Sequence, residues 1–143
     1  MTTLRIPEHL IADLDGYAVD AYPQECCGAL LGLHEPGESG RIWQVRSLWP
    51  AGNVHVNCRS RRYAIAPEDL LQAHKSARQQ GEEVVGYYHS HPDSGAAPSP
   101  TDLAEAAPGV SYLIIAVNAQ AVLERRSWRL RSDVHRFDEE ALA

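Results

Sequence analysis

His89 and His91 stand two residues apart, and Ser99 and Asp102 follow beyond a loop of proline, glycine and small residues running from Pro92 to Pro98. Imidazole nitrogens and a carboxylate oxygen suit zinc, and a site with three protein ligands leaves a fourth tetrahedral position open to water. That open position separates catalytic zinc from structural zinc. Such a site also needs a general base, and Glu25, in Pro23-Gln24-Glu25-Cys26-Cys27-Gly28, is the carboxylate on offer. Zinc brings the pKa of its water to ~7, where a carboxylate that is not itself a ligand can take the proton and later return it to a leaving amine. Ser99 is a candidate donor to the oxyanion of a tetrahedral intermediate, a contribution on the order of 3 kcal/mol.

Each of these residues has a plainer reading. Ser99 is as good an N-cap as an oxyanion donor, and the two roles are compatible. Asp102 supplies favourable negative charge in a first helical turn. His9, His34, His55, His74 and His135 are isolated and read as surface or packed residues. Cys26 and Cys27 read as small buried hydrophobes, and a Cys–His nucleophile lacks a third, orienting residue. Trp43, Trp49, Trp128 and Phe137 read as packing.

The elements that must position the chemistry follow from periodicity and punctuation. Pro7 opens a helix in which Leu10, Ile11, Leu14, Tyr17 and Ala18 recur at helical spacing, and Pro23 ends it. An apolar strand, 28–33, and a second strand, 41–49, flank the turn Glu35-Pro36-Gly37-Glu38-Ser39-Gly40 and form a hairpin. The stretch 53–60 is polar and irregular, and 63–66 is expected to be a short strand. Pro67 starts a second helix, with Glu68 and Asp69 in its first turn and Gly81 as its stop. The run 84–88 reads as a buried strand ending at His89. A third helix begins with Ser99 as N-cap, Pro100 at N1 and Asp102 at N3. Residues 111–117 form the most hydrophobic strand and pair with 121–130, while the tail from Asp133 shows no clear pattern. Strands mixed with three helices indicate an α/β fold, with a mixed β-sheet flanked by helices.

Alternation on an extended segment puts residues i and i+2 on one side, so His89 and His91 can converge on one ion at a strand end. The Pro98-Ser99-Pro100 turn brings Asp102 back to that ion, and Glu25 reaches its open side from the mouth of another strand. The small residues Gly28, Gly95, Ala96 and Ala97 are expected to flank a narrow cleft. The segment 53–62, with Arg59, Arg61 and Arg62, is expected to hold a protein partner through its acidic residues.

With 143 residues and 44% hydrophobic content, residues 1–143 read as one globular domain with a core of its own. The net charge of −6 argues against nucleic acid as a partner. Three cysteines, two of them adjacent, suit neither a disulfide framework nor a zinc knuckle, and point to reduced thiols in the cytoplasm. No signal peptide and no apolar run of membrane-spanning length is visible, so no membrane association is expected.

The combination of a glutamate, His-x-His-Pro, a short spacer and Ser-x-x-Asp resembles the JAMM (MPN-plus) metallopeptidase motif. Here it is written Glu25, His89-Ser90-His91-Pro92 and Ser99-Pro100-Thr101-Asp102, with ten residues between His91 and Asp102. Pro23-Gln24-Glu25-Cys26-Cys27-Gly28-Ala29-Leu30-Leu31-Gly32 resembles the family's first block, and the likeness spans roughly residues 6–117. It implies the JAMM/MPN fold, related in outline to cytidine deaminases, although the deaminase motifs are absent. It also implies zinc on His89, His91 and Asp102, Glu25 as acid/base and Ser99 as transition-state support. The small size resembles the standalone prokaryotic branch, which implies a peptidase or isopeptidase cutting after the C-terminal Gly-Gly of a ubiquitin-like, β-grasp sulfur-carrier protein. The alternatives are a catalytically silent metal-binding interaction module, which would not need Glu25, and a DNA-repair-associated branch, whose motif has Asn where Ser90 stands.

Overall fold

The computed structural model describes residues 2–143. Ten elements follow in order: β1 (Thr3–Arg5), α1 (Glu8–Ala21), β2 (Cys27–Gly37), β3 (Gly40–Ala51), α2 (Pro67–Gln79), β4 (Glu83–Pro92), α3 (Pro100–Glu105), β5 (Ser111–Val117), β6 (Val122–Arg131) and β7 (Arg136–Leu142). The strands lie side by side as β1-β3-β2-β4-β5-β6-β7, and β1 also pairs with β7, so the sheet curls back on itself. The β4–β5 pair and both pairs made by β1 are parallel; the others are antiparallel. This is the mixed sheet with flanking helices that the pattern predicts.

One apolar cluster binds the whole sheet to α1. Helix α1 presents Leu10, Leu14 and Ala18, spaced four apart, and every strand contributes at least one side chain, from Leu4 of β1 to Leu142 of β7. The other face carries α2, whose Ala73 and Ala77 pack on Ala29, Leu31 and Val84. Beyond α2 on that face, β4 runs out to His89 and His91. Both remain in the strand and pair with Ile114 and Ala116 of β5. The strand is thus longer than the predicted 84–88, because β5 supplies hydrogen-bond partners out to Pro92.

Three further expectations need correction. The hairpin strands run further than 28–33 and 41–49, since register holds to Gly37 opposite Gly40 and only Glu38 and Ser39 form the turn. Residues 63–66 form no strand. Val54 N–H donates to the Ala64 carbonyl and Ala64 N–H to the Asn53 side chain, so a loop rather than a sheet satisfies this backbone. The tail beyond Asp133 becomes β7, paired from Ser127 opposite Glu140 to Arg131 opposite Arg136. Its exposed positions, Arg136, Asp138 and Glu139, are polar and fall on both faces, which hides strand alternation from a hydrophobic reading.

The packing makes α1 essential through one stripe only. Leu14→Ala, at a fully buried site, is expected to cost about 2–5 kcal/mol. Val19→Ala, at a position 40% exposed, is expected to stay within about 0.5 kcal/mol. Urea unfolding of both variants checks this, and equal losses would contradict the assignment of the buried stripe.

Candidate metal centre and catalytic cleft

Antiparallel pairing of β2 with β4 sets Cys27 opposite His89. The pairing continues one step further, because Ser90 N–H donates to the Cys26 carbonyl (3.1 Å) and Ser90 Oγ accepts from Cys26 N–H (2.8 Å). That register brings Glu25 level with His91 at the strand ends. Ser90 points to the face opposite the two histidines, is fully buried, and fastens the segment that carries Glu25. Glu25 itself is 4% exposed. Its N–H donates to the Arg59 carbonyl (2.7 Å), and its carbonyl accepts from the Asn53 side-chain amide (3.1 Å). Asn53 also donates to the Arg62 carbonyl (2.9 Å), so one amide joins the loop 53–64 to the glutamate.

On the other side, Ser99 caps α3. Its Oγ accepts from Asp102 N–H (3.0 Å), and its own N–H donates to Asp102 Oδ2 (2.9 Å). This reciprocal box presents Asp102 Oδ2 to the histidines. His89 Nε2 lies 3.3 Å from that oxygen, His91 Nε2 lies 3.1 Å from it, and the two Nε2 atoms are 3.1 Å apart. All three predicted ligand residues meet at one point. The N-cap reading of Ser99 is realised, and its hydroxyl proton stays available for another acceptor.

The donor set tests whether a cation fits. His91 Nδ1 is 2.9 Å from the Gly95 carbonyl oxygen, which can only accept, so that nitrogen bears the proton. Nε2 of the neutral ring is then a lone pair aimed at a carboxylate, an arrangement of two acceptors that lacks positive charge between them. Burial opposes ionisation of Asp102, yet the hydrogen bonds from His89 and His91 outweigh it and hold the carboxyl well below its usual range. Burial disfavours a proton on His91 too, but the Asp102 hydrogen bond overrides it and raises the imidazole above its ordinary value. Burial dominates at His89 and lowers it. A proton drawn to this point marks where a divalent cation resolves the same clash. The residues fit zinc.

Glu25, His91 and Ser99 line one cleft of about 530 Å³, with Arg61, Arg62 and Asp93 on its rim. Burial pushes the Glu25 carboxyl up to about 7; His91 and Arg62 pull it down and Asp102 pushes it up. Burial also raises both adjacent thiols, Cys27 to about 12, so neither is a thiolate nucleophile at neutral pH. None of Gly28, Gly95, Ala96 and Ala97 lines the cleft, against expectation. Gly28 instead makes room for the Tyr88 ring and the Trp49 carbonyl, and Ala96 is buried under β6. Sequence reasoning missed Tyr63, which stacks on His89 with centroids 4.5 Å apart, because only the loop fold brings it there. It also missed Asn53 and Ser90. The only sequence signal for Ser90 is that the middle residue of His-x-His must face away.

A family model described as prokaryotic homologs of the JAB domain matches residues 7–131. A "Desampylase" of Haloferax volcanii is 36% identical over 93 residues, 64% of this chain. A "Probable TtuB-protein conjugate cleaving protease" of Thermus thermophilus is 32% identical over 111 residues, 78% of this chain. These matches span 62% and 68% of the two relatives' own lengths. Among solved structures, a Salinibacter ruber protein aligns with a TM-score of 0.73 and 37% identity, covering 97% of this chain and 90% of its own. A Desulfitobacterium hafniense protein aligns with a TM-score of 0.80 and 28% identity, covering 100% and 92%.

In metal-free protein His91 is expected to titrate above its ordinary ~6.5 and His89 below it. The folded value of His91 is the raised one. Its stabilising contribution is therefore complete below the unfolded pKa and is lost as pH rises through the folded one. Asp102→Asn should move His91 downward in an imidazole NMR titration; a His91 value unmoved by that change would contradict the pairing.

Proposed function

This chain belongs to the family of prokaryotic homologs of the JAB domain, and we propose that it is a zinc-dependent peptidase or isopeptidase. In this reading it hydrolyses the bond after the C-terminal Gly-Gly of a ubiquitin-like sulfur-carrier protein. The observation that carries the reading is the convergence of His89, His91 and Asp102 on one point beside a buried glutamate that is not one of the three. An interaction module has no use for that glutamate.

His89 Nε2, His91 Nε2 and Asp102 Oδ2 would hold zinc, whose contribution when bound is Lewis acidity toward water and toward the scissile carbonyl. The chain's own residues do the rest. Glu25 accepts a proton as the water oxygen forms its bond to the carbonyl carbon. With a carboxyl near 7, it is balanced between taking that proton and giving it up at neutral pH. It then delivers the proton to the amine nitrogen as the C–N bond breaks. Ser99 Oγ, already accepting from Asp102 N–H, has its hydroxyl proton left to donate to the oxyanion. The rim arginines Arg61 and Arg62 offer positive charge to an acidic carrier surface. The relatives named for desampylation and for cleaving TtuB-protein conjugates support the substrate class.

Purified protein is expected to carry about one zinc per chain, and His89→Ala, His91→Ala and Asp102→Ala each to lose most of it. Glu25→Gln should keep the metal and the affinity for a Gly-Gly-tailed carrier while losing turnover by orders of magnitude. Ser99→Ala should lose about 10²-fold to 10³-fold. Undiminished hydrolysis by the Glu25 variant would end this mechanism.

Substrate choice has its own test. A carrier with leucine in place of its penultimate glycine should not be cut, and Arg61→Glu should raise KM more than it lowers kcat. Equal cleavage of the glycine and leucine carriers would leave a generic zinc peptidase.

A further inference from the structure

The angle at which His91 presents Nε2 is not set by β4 alone. Its Nδ1–H donates to the Gly95 carbonyl (2.9 Å), and Gly95 sits in the irregular segment between Pro92 and α3. That carbonyl belongs to the same planar peptide unit as Ala96 N–H, so fixing one end of the unit fixes the other. Ala96 N–H donates to Glu124 Oε1 of β6 (3.1 Å). A continuous chain therefore runs from the Glu124 carboxylate through the Gly95–Ala96 peptide to the His91 ring. The next carbonyl, of Ala96, accepts from Trp128 Nε1 (2.9 Å). Glu124 and Trp128 stand four apart on one strand and so share a face. Trp128 is held in turn, since Arg126 lies over its ring at 4.7 Å and bonds Glu139 through two nitrogens (3.0 and 2.7 Å). Ala96 is fully buried against Ile114, Ala116 and Trp128, so this peptide has no room to turn.

We propose that Glu124 is the outer carboxylate of the metal centre, acting on His91 through the Gly95–Ala96 peptide, with Trp128 holding that peptide in place. Ligating histidines characteristically donate their second ring N–H to a carbonyl or carboxylate, which fixes the tautomer and strengthens the ligand. Here both acceptors are present in series. The negative charge on Glu124 polarises the peptide it binds, the Gly95 oxygen becomes a better acceptor, and His91 becomes a better donor of its Nε2 lone pair. Glu124 and Trp128 are positioning residues. The inference rests on the reading of His91 as a ligand and is independent of the substrate.

Zinc affinity, measured by competition with a chromophoric chelator, tests it. Glu124→Ala is expected to weaken zinc binding about 10-fold, and Trp128→Phe to weaken it less. Glu124→Gln keeps an oxygen acceptor without the charge and should recover part of the loss. Glu124→Gln leaves the Ala96 N–H its acceptor, so the metal-free melting temperature of that variant should match that of the parent chain. In the metal-free Glu124→Ala chain the His91 Nδ1 resonance should also shift, a change that loosened packing elsewhere would not produce. Zinc affinity of Glu124→Ala within about twofold of the parent, or an affinity loss in Glu124→Gln that comes with a lowered metal-free melting temperature, overturns the proposal. A parent chain that binds zinc but cuts no carrier overturns the proposed function and leaves this relay intact; one that binds no zinc overturns both.

Discussion

Two imidazole nitrogens and a carboxylate oxygen, each within 3.3 Å of the other two, form a concentration of lone pairs that the fold must force together. Left alone, such a set repels itself or recruits a proton, and the upward pull on His91 is that recruitment. Much of the surrounding architecture is the restraint that holds these groups in place. The parallel β4–β5 pair keeps His89 and His91 in regular strand to its last residues. The capping box fixes Asp102 through two hydrogen bonds before it meets either ring. Tyr63 stacks against His89 and keeps that ring from rotating out.

Glu25 is restrained by other means. Ser90 and Cys26 exchange two hydrogen bonds, so Glu25 is registered to His89 and His91 by the residue that separates them. Asn53 and Arg59 hold its backbone from the loop side. A glutamate this buried remains protonated to higher pH than a surface one, and the same burial that raises it to about 7 makes it useful for moving protons at neutral pH. The fold thus supplies two opposite shifts in one site: Asp102 forced down and Glu25 pushed up.

The meeting of His89, His91 and Asp102 was legible because their spacing is local and rigid. His-x-His on a strand has one geometry, and Ser-Pro-x-Asp at a helix start has one capping arrangement. The two long helices were legible from Pro7, Pro67 and Gly81, the last of which adopts a positive φ of 71°. What escaped was carried by the loop 53–66 and by β7. Asn53 takes the place of a neighbouring strand for Ala64, which no hydropathy pattern signals. The small residues lie off the cleft because smallness has two causes: Gly28 and Ala96 are small to admit Tyr88 and to fit beneath Trp128. Glu124 and Trp128 lie 28 and 32 residues from Ala96, the backbone they hold, so their part in the site became visible only with the strands in place.

X-ray absorption at the zinc edge of the loaded protein tests the central claim most directly. The account predicts a shell of nitrogen and oxygen scatterers alone, at ~2.0–2.2 Å, with the multiple-scattering signature of two imidazoles. A sulfur scatterer at ~2.3 Å, which would mean that Cys26, Cys27 or Cys58 holds the ion, or a shell with no more than one imidazole, would contradict it.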